Sequence, residues 1–169
     1  MPPDSRLRSY STMLLGAACF GLLGAGFDQI TVSVSPEYFV LGKGVSEGAS
    51  LRGSAALVGF YGGLPVGALC AGVFVWLRAS GRRVRWPWFF GLATLATVPS
   101  SLLAAIVLLS LDPFQVRLDA SGVLDPDRAT RYLLCWSLHI GAYLGPTSAV
   151  FVMAARKAEP PFRVMPPPA

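Results

Sequence analysis

Residues 53–77 read GSAALVGFYGGLPVGALCAGVFVWL, and no charge interrupts them between Arg52 and Arg78. These 25 residues exceed the ~20 that an α-helix needs to cross a hydrocarbon core of about 30 Å. A helix at the surface of a soluble core carries a polar stripe every three or four residues; this stretch is apolar all round. Strands of a membrane β-barrel are about half as long and alternate in polarity, so a barrel is excluded.

Three more windows repeat the pattern. Nineteen uncharged residues separate Arg8 from Asp28, 26 separate Arg85 from Asp112, and 24 separate Arg131 from Arg156. The reading is an all-α membrane protein, a four-transmembrane-helix bundle with spans at 10–28, 54–77, 88–111 and 131–155. Residues 1–158 form one domain, and the proline-rich segment 159–169 is a flexible tail. Composition agrees: 53% of the chain is hydrophobic and 14% charged, against roughly 25% charged in soluble domains. The net charge of +5 is divided among short loops, so it is a topology signal and points to no nucleic-acid partner.

Orientation follows from Lys and Arg. Arg6, Arg8, Arg78, Arg82, Arg83, Arg85, Arg156, Lys157 and Arg163 lie in the two tails and the segment 78–87. The other two loops hold seven of the nine acids. The positive-inside rule then puts both termini and 78–87 in the cytoplasm, in a cytoplasmic (inner) membrane. Arg78, Arg82, Arg83 and Arg85 should meet anionic lipid headgroups. Trp76, Trp86 and Trp88 flank that loop at headgroup level. Pro87 suits the first turn of the third span, and Asp125-Pro126-Asp127 suits the opening of the fourth. Arg6 and Arg8 before an apolar run ending in Gly24-Ala25-Gly26 also fit a signal peptide, and Gly16-Ala17-Ala18-Cys19 faintly fits a lipoprotein site. The expectation is an uncleaved anchor.

Small residues at helical spacing, Ala17, Gly21 and Ala25 on the first span and Gly59, Gly63 and Gly67 on the second, predict close helix contacts. Pro65, Pro99 and Pro146 each remove a backbone hydrogen bond inside a span and predict helix kinks. Cys19, Cys70 and Cys135 lie in apolar runs and match no disulfide or zinc pattern.

The outer loops 28–52 and 112–130 carry most of the remaining polar chemistry. Ile30-Thr31-Val32-Ser33-Val34-Ser35 and Phe114-Gln115-Val116-Arg117-Leu118-Asp119 alternate with the period of a strand, so a small β element there is an expectation. Asp28, Gln29, Glu37 and Tyr38 form the densest polar cluster. His139, the single histidine, sits eight residues inside the fourth span, roughly 12 Å deep at 1.5 Å per residue. Ionisable groups at such depth are functional candidates, and neutral interhelical hydrogen bonding is the alternative. Together these five residues are expected to form a polar cap over the outer mouth of the bundle, or else a solvated turn.

The run from Asp28 to Phe39 resembles a motif of an uncharacterised group of bacterial multi-pass membrane proteins. That motif reads His-Asp-Gln-x-Thr/Ser, then Ser-Pro-Glu-Tyr-Phe after a short gap. Asp28, Gln29, Thr31, Ser35, Pro36, Glu37, Tyr38 and Phe39 match it, and Phe27 stands where the motif has His. The resemblance implies a membrane location and names no activity; the departure at Phe27 weakens a metal-site reading. Phosphate loops, zinc-protease helices and nucleophile elbows are missing from the sequence. No enzyme, cofactor or metal is therefore expected. The leading functional expectation is a non-catalytic accessory or assembly protein that packs against other membrane subunits or its own copies. A small-solute or ion transporter using the proline-kinked helices is the second. A membrane enzyme using Asp28, Glu37 and His139 is the third.

Overall fold

The computed structural model describes residues 3–46, 50–112, 115, 116, 119 and 122–155. Four long helices account for nearly all of them: α1 (Pro3–Val34), α2 (Leu51–Ala79), α3 (Trp86–Leu111) and α4 (Pro126–Ala155). A single wide π-helical turn, Tyr38–Gly42, lies between α1 and α2. Each of the four helices is long and apolar enough to cross a membrane, and the protein is a multi-pass membrane protein.

The ends of the helices follow local chemistry. Gly81, at φ 81°, ends α2 in the left-handed conformation that glycine adopts without steric cost. The Arg82 N–H then donates to Leu77 O, the six-to-one closure of a Schellman cap. Pro87 sits in the first turn of α3. The Asp125 carboxylate accepts from the Arg128 N–H at 3.0 Å and opens α4. Helices α2, α3 and α4 run unbroken through Pro65, Pro99 and Pro146. Near Pro99, the Ser100 hydroxyl lies within reach of Ala96 O, Thr97 O and Gly141 O.

The bundle is built from two antiparallel pairs, α1 with α2 and α3 with α4, joined more lightly through α2 and α4. Glycine sets both close pairings. A Cβ on Gly59, Gly63 or Gly67 would strike the backbone at Gly24, Phe20–Gly21 or Gly16–Ala17 of α1. On α4, a Cβ on Gly141 or Gly145 would strike Ser100 or Ala96. The contact face of α1 is thus centred on Gly16, Phe20 and Gly24. It runs one residue off the expected Ala17, Gly21, Ala25 line, with Gly21 still buried in it.

One expectation is corrected: no strand occurs among the described residues, and Ile30 to Val34 is the end of α1. The alternation was misleading because the buried face of this segment is itself polar. Asp28, Thr31, Val32 and Ser35 are buried, spaced i, i+3, i+4, i+7 as on one face of a helix. Ser33 Oγ donates to Gln29 O at 3.0 Å. A helix satisfies its own backbone groups, whereas a lone two-stranded ribbon at the membrane boundary would leave both outer edges unpaired. Val116 and Asp119, in the second expected strand, have helical backbone; Phe114, Arg117 and Leu118 lie outside the described residues, as does the tail 159–169.

Candidate functional site

The extra length of α1 changes what Asp28 is. It is an interior residue of α1, six residues before the helix ends and only 2% exposed. Opposite it, α4 presents His139, 6% exposed. His139 Nε2 lies 2.8 Å from Asp28 Oδ1, and Nδ1 lies 2.7 Å from Cys135 O, one turn earlier on α4.

Hydrogen-bond chemistry narrows where the protons sit. A carbonyl oxygen only accepts, so Nδ1 carries a hydrogen and donates to Cys135 O. One further proton lies between Nε2 and Oδ1. Either an imidazolium faces a carboxylate, or a neutral imidazole accepts from a carboxylic acid. Both arrangements are neutral overall, which is how an acid and a base lower the cost of burial in a membrane helix bundle.

The space for the carboxyl comes from α2. A Cβ on Gly59 would lie 2.8 Å from Asp28 Cγ, so the glycine seam and the polar pair share a residue. Around the pair, aromatic rings enclose His139. Tyr38 lies 4.7 Å away between ring centroids, Phe27 is edge-on at 5.3 Å, and Phe39 is at 6.2 Å. Burial, reinforced by Tyr143 and Asp28, pushes the Tyr38 hydroxyl well above the ordinary tyrosine range. The Cys135 thiol donates to Thr31 O at 3.4 Å, a second link between α4 and α1.

The remaining cluster residues hold the surrounding chain. Ser35 Oγ donates to Glu37 Oε2 at 3.2 Å and accepts from the Tyr38 N–H at 3.3 Å, which seats Tyr38 over the imidazole. Glu37 Oε1 lies 3.6 Å from Arg128 Nε on α4. Gln29 Nε2 donates to Arg52 O at 2.9 Å, and Arg52 Nη2 donates to Ser33 Oγ at 3.0 Å, tying α1 to the start of α2. Asp28, Tyr38 and His139 are therefore brought together, while Gln29 and Glu37 act at the periphery. Glu37 thus stands apart from Asp28 and His139, and among the described residues no three His, Cys, Asp or Glu side chains are grouped to hold a metal ion.

Cys135, Thr31, Phe27 and Gly59 stood outside the polar cluster expected from the sequence. The signal for Cys135 and Thr31 was present: Cys135 precedes His139 by one helical turn, and Thr31 follows Asp28 by three residues. Phe27, where the chain departs from the bacterial motif, packs against the imidazole edge.

At the opposite end of the bundle, Arg82 Nη1 donates to Ala154 O at 2.8 Å, with Met153 O at 3.4 Å. It satisfies carbonyls that the last turn of α4 leaves free. Arg78, Arg83 and Arg85 are exposed, and the Arg78 guanidinium lies 6.0 Å from the Phe74 ring centre.

No family model, no curated protein and no solved structure matches the chain.

Proposed function

We propose that the chain is a non-catalytic membrane protein of accessory or assembly type, with the Asp28–His139 pair as an internal fastener of its bundle. The observation that carries this reading is the complete engagement of His139. Both ring nitrogens are hydrogen-bonded within the protein at 2.7 and 2.8 Å, and three aromatic rings crowd the imidazole. A general base or metal ligand needs a nitrogen free to meet substrate or ion. The assembly part is supported by a groove of about 740 Å³ along the outer side of α3 and α4. Leu103, Ala104, Val107, Leu144, Ser148 and Ala149 line it, an apolar face with small residues on both walls that suits the approach of a partner's membrane helix.

The arginine asymmetry supports a cytoplasmic membrane, with the 80–85 loop and both termini inside and the Asp28–His139 end outward. Exposed Arg78, Arg83 and Arg85 suit anionic headgroups. The likeness of 28–39 to the bacterial membrane-protein motif is consistent with that location. On a background lacking Cys19, Cys70 and Cys135, Ser46→Cys should react with an impermeant thiol reagent from outside and Ser80→Cys should not.

Purification in mild detergent tests the function. The expected result is a stoichiometric membrane-protein partner, or a second copy of this chain, that Ala104→Trp displaces without unfolding the chain. A second reading, a small-solute or ion transporter, is favoured by one observation: Asp28 Oδ2 is buried without a hydrogen-bond partner among the described residues. A lone monomer whose solute flux in proteoliposomes stops with Asp28→Asn would overturn the assembly reading in favour of transport.

A further inference from the structure

A cavity of about 380 Å³ lies at the centre of the bundle, and all four helices line it. Its walls are mainly hydrocarbon, from Phe20 and Phe27 of α1, Val66 of α2 and Ala142 of α4 among others. The pairing of the helices explains why it is there. Helix α1 packs closely on α2 and α3 on α4, while α1 and α3 have little contact. They meet where Phe20 faces Phe90, 6.1 Å between ring centroids, and that contact floors the cavity on the side of the 80–85 loop. Beyond it, Leu22, Leu23 and Ile30 of α1 and Val98 of α3 line the cavity and are also exposed on the bilayer-facing exterior. The cavity therefore opens sideways into lipid. The way from outer water is closed by Tyr38 and Phe39, which are buried and pack against the imidazole of His139.

From this geometry we infer that the cavity is a seat for one hydrocarbon chain of a bilayer phospholipid, which enters sideways between α1 and α3. Other occupants fit worse. An empty space of this size forfeits the contacts of its lining, and protein interiors rarely keep voids larger than a water molecule. An ordered water needs two to four polar partners, and these walls offer mostly hydrocarbon. A partner's helix is too wide, at about 10–12 Å across with its side chains. The α2 residues that line the cavity, Gly59, Gly63 and Val66, cover about 10 Å at 1.5 Å per residue. Over that depth the volume leaves a mean width of only about 6 Å, which suits an extended alkyl chain. Within a bilayer the gain is close packing rather than escape from water. Occupancy needs no polar atom of Asp28 or His139, and it does not depend on assembly with partners.

Photolabelling reads the occupant directly. The full chain in nanodiscs is irradiated with a phosphatidylcholine bearing a mid-chain diazirine, and labelled residues are mapped by mass spectrometry. Val66 and Ala142, half-buried on the cavity wall, should be labelled alongside Leu95 and Ile106, which are exposed on the exterior. Two blocking variants separate the cavity from the exterior. Gly26 lines the cavity, and a Cβ built there meets nothing within 4 Å, so Gly26→Trp fills space without a clash at its root. Val98→Trp does the same from the opposite rim, where the side chain is exposed. In either variant, at an unchanged melting temperature, labelling of Val66 and Ala142 should fall about tenfold while Leu95 and Ile106 keep theirs, because two groups cannot share one close-packed space. A native chain labelled only on its exterior overturns the inference, since the cavity then holds water or nothing. Undiminished labelling of Val66 and Ala142 in the folded variants also overturns it, since the lipid chain then reaches them by another route.

Discussion

The two ends of the bundle are closed by different physics. At the end that holds the 80–85 loop, aromatic rings pack on one another. Phe74 meets Trp86 at 4.9 Å and Phe89 at 5.3 Å, and Trp86 meets Phe90 at 3.8 Å between centroids. Those residues lie within 17 positions of each other along the chain, so the end of α2 and the start of α3 build most of that closure locally. At the other end, Asp28 and His139 are 111 residues apart in sequence, and their bond forms only when α1 and α4 are both in place. Packing degrades gradually as atoms are removed. A buried polar pair fails sharply, because removing one member strands the other.

The contrast orders the expected effects of substitution. Asp28→Ala or His139→Ala leaves a buried group without its partner and should cost about 3 kcal/mol or more, read as loss of stability in reversible unfolding from mild detergent. Phe89→Leu at the opposite end, which keeps an apolar side chain, should cost less than about 1.5 kcal/mol. If the two ends respond alike, the contrast is broken. Gly59→Ala tests the residue that serves both the α1–α2 seam and the pair. The added methyl meets Gly24 backbone and the Asp28 carboxyl, so a loss of about 1–3 kcal/mol is expected. Arg82→Ala strips one charged donor from the half-buried carbonyls at the end of α4, and about 1 kcal/mol should follow.

The smallest effect sharpens the outer end. With its hydroxyl pushed up by burial, Tyr38 is protonated in the fold at pH values where the unfolded chain has released that proton. The folded pKa is raised, so the stabilisation is intact below the ordinary value near 10 and fades as pH climbs above it. Denaturation midpoints measured from pH 8 to 11 should therefore fall at the alkaline end, and fall less in Tyr38→Phe. An identical decline in both proteins would remove Tyr38 from the account.

The four spans were legible in the sequence because hydropathy and length alone decide them. Charge-free windows of 19 to 26 residues leave little besides helices, and the Asp125 cap and Pro87 were readable from local rules. The end of α1 was not legible. Thr31 and Ser35 face inward with Asp28, and a polar inward face reads as alternation when polarity is used as a proxy for exposure. For the same reason Asp28 read as a helix terminus. Its partner could be suspected, since an acid and a histidine in so apolar a chain need company, but helical spacing carries no information on which spans touch. The Gly141 and Gly145 contact with Ser100 was hidden for a related reason: glycine pairs recur on several faces, and only three-dimensional pairing selects among them.

The account rests on direct coupling between Asp28 and His139, and a double-mutant cycle measures it. Stabilities of the native chain, Asp28→Ala, His139→Ala and the double variant are compared by the same reversible unfolding in mild detergent. The account predicts that the double variant is much less destabilised than the sum of the singles, by about 2 kcal/mol, near the upper part of the range for residues in contact. Additivity within about 0.5 kcal/mol, the behaviour of distant independent sites, would contradict the bond between α1 and α4 and with it the fastener at the centre of this bundle.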